Sequence, residues 1–89
     1  MGEIVKRAVA GTLVSSDVYV EITPNDSGIL IDIDSVVAAQ FGEEIRRAAS
    51  EVLAQQGVAN AKVKLVDRGA LDCVIRARME TAVMRAKGE

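Results

Sequence analysis

The sequence predicts an α+β fold: a small antiparallel β-sheet, in the order β-β-β-α-β-β, with one long helix packed on one face and a short helical tail. Short runs of alternating apolar and polar residues recur, as in strands buried on one side. Turn-forming Gly, Pro, Asn, Asp and Ser residues separate them. One central stretch instead repeats its apolar positions at helical spacing. No linker, repeat or low-complexity segment divides the chain, so residues 1–89 read as one domain.

Residues 4–13 and 18–23 form the first hairpin in this reading. Val9, Gly11 and Leu13 share one parity, and Val18, Val20 and Ile22 share another. If Leu13 faces Val18, then Gly11 faces Val20 and Val9 faces Ile22, and residues 14–17 become the turn. Pro24, Asn25, Asp26, Ser27 and Gly28 mark the next turn. Ile29, Ile31 and Ile33 then alternate with Leu30, Asp32 and Asp34 in a third strand. Asp32 and Asp34 share one face of it; two carboxylates so placed are a cation site or, more simply, a solvated surface.

Asp34 or Ser35 can cap the helix that follows. Val37, Phe41, Ile45, Ala48, Val52 and Leu53 make its apolar stripe, with Glu43, Glu44, Arg46, Arg47 and Glu51 largely opposite. Gly57 followed by Val58 predicts a left-handed C-terminal cap. Residues 61–67 alternate again, with Val63 and Leu65 inward and Lys62 and Lys64 outward. Residues 71–87 fit two patterns. Leu71, Ile75, Met79, Ala82 and Ala86 fit a helix, whereas Leu71, Cys73, Ile75, Ala77 and Met79 fit a strand. The strand reading, to about Thr81, is preferred because Arg68, Gly69 and Ala70 make a short hairpin loop. It places Lys62, Lys64, Arg76 and Arg78 together on the outer sheet face and buries Cys73 as a small apolar residue.

Composition excludes several classes of function. Hydrophobic residues make up 49% of the chain, yet there is one Tyr, one Phe and no Trp, so the core must be aliphatic. A formal net charge of −2 gives no electrostatic case for nucleic acid, and stacking platforms for single strands are missing. With no His and a single Cys, neither a Ser-His relay, an ordinary zinc site nor an internal disulfide framework can form. No signal-like or membrane-spanning run is present, so a cytoplasmic protein without membrane contact is expected.

Within the first turn, Ser15 and Ser16 stand beside Asp17. Ser and Asp are favoured in turns because their side chains bond nearby backbone N–H groups, and pattern alone favours a structural turn. No Ser-His relay can activate either serine, and although a Ser-Lys pair is open to the sequence, no motif points to one. A serine at an exposed tip is better suited to being modified by another protein.

Several stretches together resemble the acyl carrier (gamma) subunit of citrate lyase. They are Ala10-Gly11-Thr12-Leu13-Val14-Ser15-Ser16-Asp17, Gln40-Phe41-Gly42, Asp67-Arg68-Gly69-Ala70-Leu71-Asp72-Cys73 and Arg76-Ala77-Arg78. The first and third form a specific pair, and the order and spacing hold over almost the whole chain. The resemblance implies a non-catalytic carrier whose Ser15 is joined by a phosphodiester to phosphoribosyl-dephospho-coenzyme A, with Ser16 as the neighbouring competitor and Asp17 in orientation or recognition. It also implies partners: the alpha subunit (citrate CoA-transferase), the beta subunit (citryl lyase), a prosthetic-group transferase and an acetyl-ligase acting on the thiol. Acetyl and citryl thioesters would pass between alpha and beta as citrate is cleaved to acetate and oxaloacetate.

Two departures from the family pattern stand at the site: Val14 replaces an acidic residue common in relatives, and Ser16 replaces a Gly found in some. The carriers of citramalate lyase and malonate decarboxylase use a similar arm, and the Gly-Ala-Leu-Asp-Cys stretch favours the citrate lyase branch over malonate decarboxylase. The competing class is an unmodified interaction module that binds a partner through its Lys/Arg face.

Overall fold

The computed structural model describes residues 3–88, so the extreme ends of the expected 1–89 domain lie outside the described residues. The alternating runs form β1 (Ala8–Gly11), β2 (Val18–Thr23), β3 (Ile29–Ser35) and β4 (Ala61–Asp67). The helical stretches form α1 (Ala38–Gln55) and α2 (Asp72–Ala86). The sheet order is β1-β2-β4-β3. Both helices lie against its inner face and against each other, making a two-layer α+β domain. Val18, Val20, Ile22, Val63 and Leu65 of the sheet meet Ala48, Val52, Leu53, Met79 and Val83 of the helices, and all are at most 2% exposed. The described core is aliphatic, as the composition requires. Each such Val, Leu or Ile contributes about 1.5–3 kcal/mol through burial.

The last predicted strand is a helix. Its inward row does not form: Leu71 is 70% exposed, and Cys73 and Ala77 are exposed as well. Ile75, Met79, Ala82, Val83 and Ala86 are buried instead, at helical spacing. Arg76, Ala77, Arg78, Met79 and Glu80 are all strong helix formers, and Asp72 pairs with Arg76 at 2.7 Å across one turn. Packing gives the larger reason. Four strands about 4.8 Å apart present a face roughly 19 Å wide, which a single helix about 10 Å across leaves half bare.

The sheet is therefore four-stranded and mixed rather than five-stranded and antiparallel. β3 and β4 are parallel, Ile31 beside Val63 and Ile33 beside Leu65, because α1 carries the chain back before β4 begins. The hairpin register also differs by one residue. Ala8 faces Ile22 and Ala10 faces Val20, so the two alanines point inward and Val9 and Gly11 do not. α2 lies across β1 and β2, where small side chains allow close approach.

The predicted Lys/Arg face is not built. Lys62 and Lys64 are exposed on β4, but Arg76 and Arg78 belong to α2. Arg76 pairs with Asp72 and Glu51, and Arg78 with Asp17. Asp32 and Asp34 lie exposed on the outer face, as expected.

The helix boundaries follow local chemistry. The Ser35 hydroxyl accepts from the Val37 N–H at 3.1 Å and donates to Asp67 at 2.8 Å, although the helix itself starts later, with no side-chain cap. Phe41 leaves the predicted stripe and is 46% exposed. At the other end, Gly57 has φ 71°, its N–H bonds the Ala54 carbonyl, and the Val58 N–H bonds that of Leu53. That pair of bonds is the Schellman cap predicted from Gly57 and Val58.

Candidate functional site

Residues 12–17 connect β1 to β2 at the end of the sheet where β3 and β4 also finish. The Asp17 N–H bonds the Val14 carbonyl at 3.2 Å, closing the turn over residues 14–17 where the sequence places it. Ser15 and Ser16 are both exposed. Ser16 has φ 68°, a left-handed conformation that favours glycine.

The turn is tethered from two sides. The Ser16 N–H donates to the Arg68 carbonyl at 2.8 Å, and the Arg68 N–H donates to the Asp17 carbonyl at 2.9 Å. These bonds continue the β2–β4 pairing into the loop before α2. Asp17 supplies the second tether and is only 8% exposed. Its carboxylate accepts the Thr12 hydroxyl at 2.6 Å and the Val18 N–H at 2.8 Å. Arg78 closes on it as a fork, Nε at 3.1 Å from Oδ1 and Nη2 at 3.0 Å from Oδ2. The Thr12 hydroxyl, the Arg78 guanidinium and the Val18 amide together lower the Asp17 pKa to about 2.

Gly11 makes room for this arrangement. It has φ 88°, and a Cβ there would stand 1.8 Å from the Val18 carbonyl oxygen and 3.3 Å from Arg78 Cδ.

Of the three residues singled out from the sequence, Asp17 is an internal anchor, while Ser15 and Ser16 ride on the tip that it holds. Thr12, Arg78 and the Arg68 backbone complete the site. The strand reading of residues 71–87 places Arg78 outward, whereas the helix turns it toward Asp17. Cys73, expected to be buried, is an exposed free thiol near the start of α2. Among the described residues, no cluster of three or more His, Cys, Asp or Glu is arranged to hold a metal ion. No described helix is long and apolar enough to cross a membrane.

Two surface clefts lie away from the turn. One cleft, of about 250 Å³, is lined by Glu3, Ile4, Asn25, Gly57, Ala59 and Asn60. A second, of about 390 Å³, is lined by Ile33, Ala39, Gln40, Gly42, Glu43 and Arg46. Neither includes a serine of the turn. Fold and site together define a domain that presents two exposed serines on a hydrogen-bonded turn at one end of its sheet.

The same fold occurs in a chain of a Pseudomonas malonate decarboxylase hetero-tetramer in complex with malonate. That match has a TM-score of 0.82 at 21% identity and covers 94% of this chain and 87% of that one. The family model for acyl carrier proteins described as "Malonate decarboxylase delta subunit (MdcD)" matches residues 5–86. A citrate lyase acyl carrier protein of Escherichia fergusonii is 55% identical over 85 residues, 94% of this chain and 88% of the relative. One from Haemophilus influenzae is 55% identical over 87 residues, 98% of this chain and 90% of the relative. One from Lactiplantibacillus plantarum is 50% identical over 84 residues, 94% of this chain and 88% of the relative. The chain belongs to the citrate lyase acyl carrier protein family.

Proposed function

We propose that this protein is the non-catalytic acyl carrier subunit of a cytoplasmic citrate lyase complex, loaded on Ser15. The group attached there is phosphoribosyl-dephospho-coenzyme A, held by a phosphodiester to the Ser15 hydroxyl. When bound, it supplies the thiol that carries the acyl group as a thioester. The loaded chain serves an alpha CoA-transferase and a beta citryl lyase in the cleavage of citrate to acetate and oxaloacetate. A prosthetic-group transferase and an acetyl-ligase act on it beforehand.

The observation that carries this reading is the exposed Ser15 on a turn that Asp17, Thr12, Arg78 and the Arg68 backbone hold in one conformation. Covalent attachment of a long arm needs a protruding hydroxyl, which the exposed Ser15 offers. Rigidity at the root and flexibility in the arm raise the effective concentration of the acyl group at two separate active sites. The left-handed backbone at Ser16 favours Ser15 as the loaded residue. At that position the turn geometry suits glycine, so Ser16→Gly should leave the turn intact, whereas Ser15 carries the exposed hydroxyl of the tip without that constraint.

Reconstitution with the alpha and beta subunits and the loading enzymes tests the assignment. Ser15→Ala is expected to abolish citrate cleavage, and Ser16→Gly to retain it. Full activity of Ser15→Ala would refute the assignment. Assay of the same complex with citramalate and malonate distinguishes the related branches.

A further inference from the structure

We propose that β3 is a docking edge to which a catalytic subunit of the complex adds an extended strand bearing Lys or Arg at alternate positions. The two edges of the sheet differ. β1 is four residues long, and Arg85 on α2 donates to its Val9 carbonyl at 2.8 Å, so this edge is short and partly closed. β3 is seven residues long, about 23 Å, without Gly or Pro inside it, and such an edge is a template for a further strand.

The free hydrogen-bonding groups of β3 can be identified. The Gly28 carbonyl accepts from the Ala61 N–H, and the Val36 N–H donates to the Asp67 carbonyl. In a parallel strand both groups of one residue point to the same side and successive residues alternate. Even-numbered residues therefore face β4, and Ile29, Ile31 and Ile33 present their N–H and C=O groups off the edge. Arg46 covers one of them, donating to the Ile31 carbonyl at 3.1 Å. Apolar surface accompanies the open edge: Ile29 is 37% exposed, Leu30 57% and the following Val36 64%.

Charge determines the occupant. The outer face of β3 carries Leu30, Asp32 and Asp34, while Ile31 and Ile33 lie against the core. Lys64 is beside Asp32 in the sheet, but Asp34 has the apolar Val66 beside it. Pairing two copies of this chain along the whole of β3, antiparallel, sets Asp32 against Asp32, and like charges directly opposite are destabilising. A strand with basic residues on that face and apolar ones on the other complements the edge, giving main-chain bonds for affinity and charge for register. The sheet order would become β1-β2-β4-β3-partner. The added strand would lie about 14 Å from β2, leaving the 12–17 turn uncovered at the same end of the sheet. A carrier gripped there stays in the complex while its loaded serine remains free to swing the arm.

The identity of the partner rests on the carrier reading, whereas the edge chemistry does not. Binding of the full chain to each purified catalytic subunit is measured for wild type, the double variant Asp32→Lys/Asp34→Lys, and Ile29→Pro. Proline at the first position of an edge strand removes an outward N–H without breaking the β4 ladder. Circular dichroism and mass-spectrometric loading of Ser15 provide separate readouts. The expected result is that both variants fold and are loaded on Ser15, yet bind one catalytic subunit at least about tenfold more weakly. Wild-type binding also falls with added salt, and that salt dependence is smaller in the Asp variant. Undiminished binding of both variants overturns the proposal, as does wild type that binds neither subunit. A wild-type homodimer abolished by the same substitutions also overturns it, since β3 would then be covered by a second copy. If no variant is loaded but binding is still lost only in the β3 variants, the carrier reading fails and the docking edge stands.

Discussion

At the scale of single residues, the serine tip depends on a glycine and an ion pair. Gly11→Ala forces a side chain into the Val18 carbonyl at a positive φ, so it should destabilise the domain by at least about 2 kcal/mol in urea unfolding. Arg78 is 41% exposed at its side chain, which weakens the Coulombic part of its pairing with Asp17. The pair still holds hydrogen bonds to a buried carboxylate, so Arg78→Ala should destabilise by about 1–2 kcal/mol. Its acid dependence has a defined sign. The folded pKa of Asp17 is about 2 against an ordinary 3.8, so its contribution is complete above pH 3.8 and is lost as pH falls toward 2. Asp17→Asn should flatten that part of the stability–pH profile. An unchanged acid limb would mean that the Asp17 tether does not hold the turn.

At the scale of elements, strands were the most legible. β2 and β4 fall on the residues where alternation places them, and the cap at Gly57 and Val58 forms as its residue types require. The parity of β1 was not legible, because inserting Ala8 and Ala10 rather than Val9 depends on how closely α2 approaches, a tertiary fact. Parallel pairing of β3 and β4 follows from a helix between them, a signal the sequence contained. Residues 71–87 carried two periodicities, and the turn-forming Gly69 favoured a hairpin over the helix propensity that prevails. A strand there points Arg78 away from the turn, so the serines and Asp17 are legible in the sequence but not the groups that restrain them. Cys73 distinguishes helix from strand directly. In α2 it is exposed, so a thiol reagent should label the native protein at the rate of an unfolded control, whereas an inward strand position would protect it.

At the scale of the whole molecule, an aliphatic two-layer domain with a formal net charge of −2 carries its exposed serines at one end of the sheet. The ends of β3 and β4, the 12–17 turn and the loop before α2 meet at one end, where Arg68 of that loop and Arg78 of α2, both distant in sequence, hold the serine turn. The most direct test of this arrangement is the intact mass of the chain after co-expression with its prosthetic-group transferase and the enzyme that makes the precursor, followed by peptide fragmentation. The prediction is a mass increase equal to phosphoribosyl-dephospho-coenzyme A, localised to Ser15. An unmodified chain beside a demonstrably active transferase would contradict the carrier role, and an adduct on Ser16 would contradict the assignment of the site.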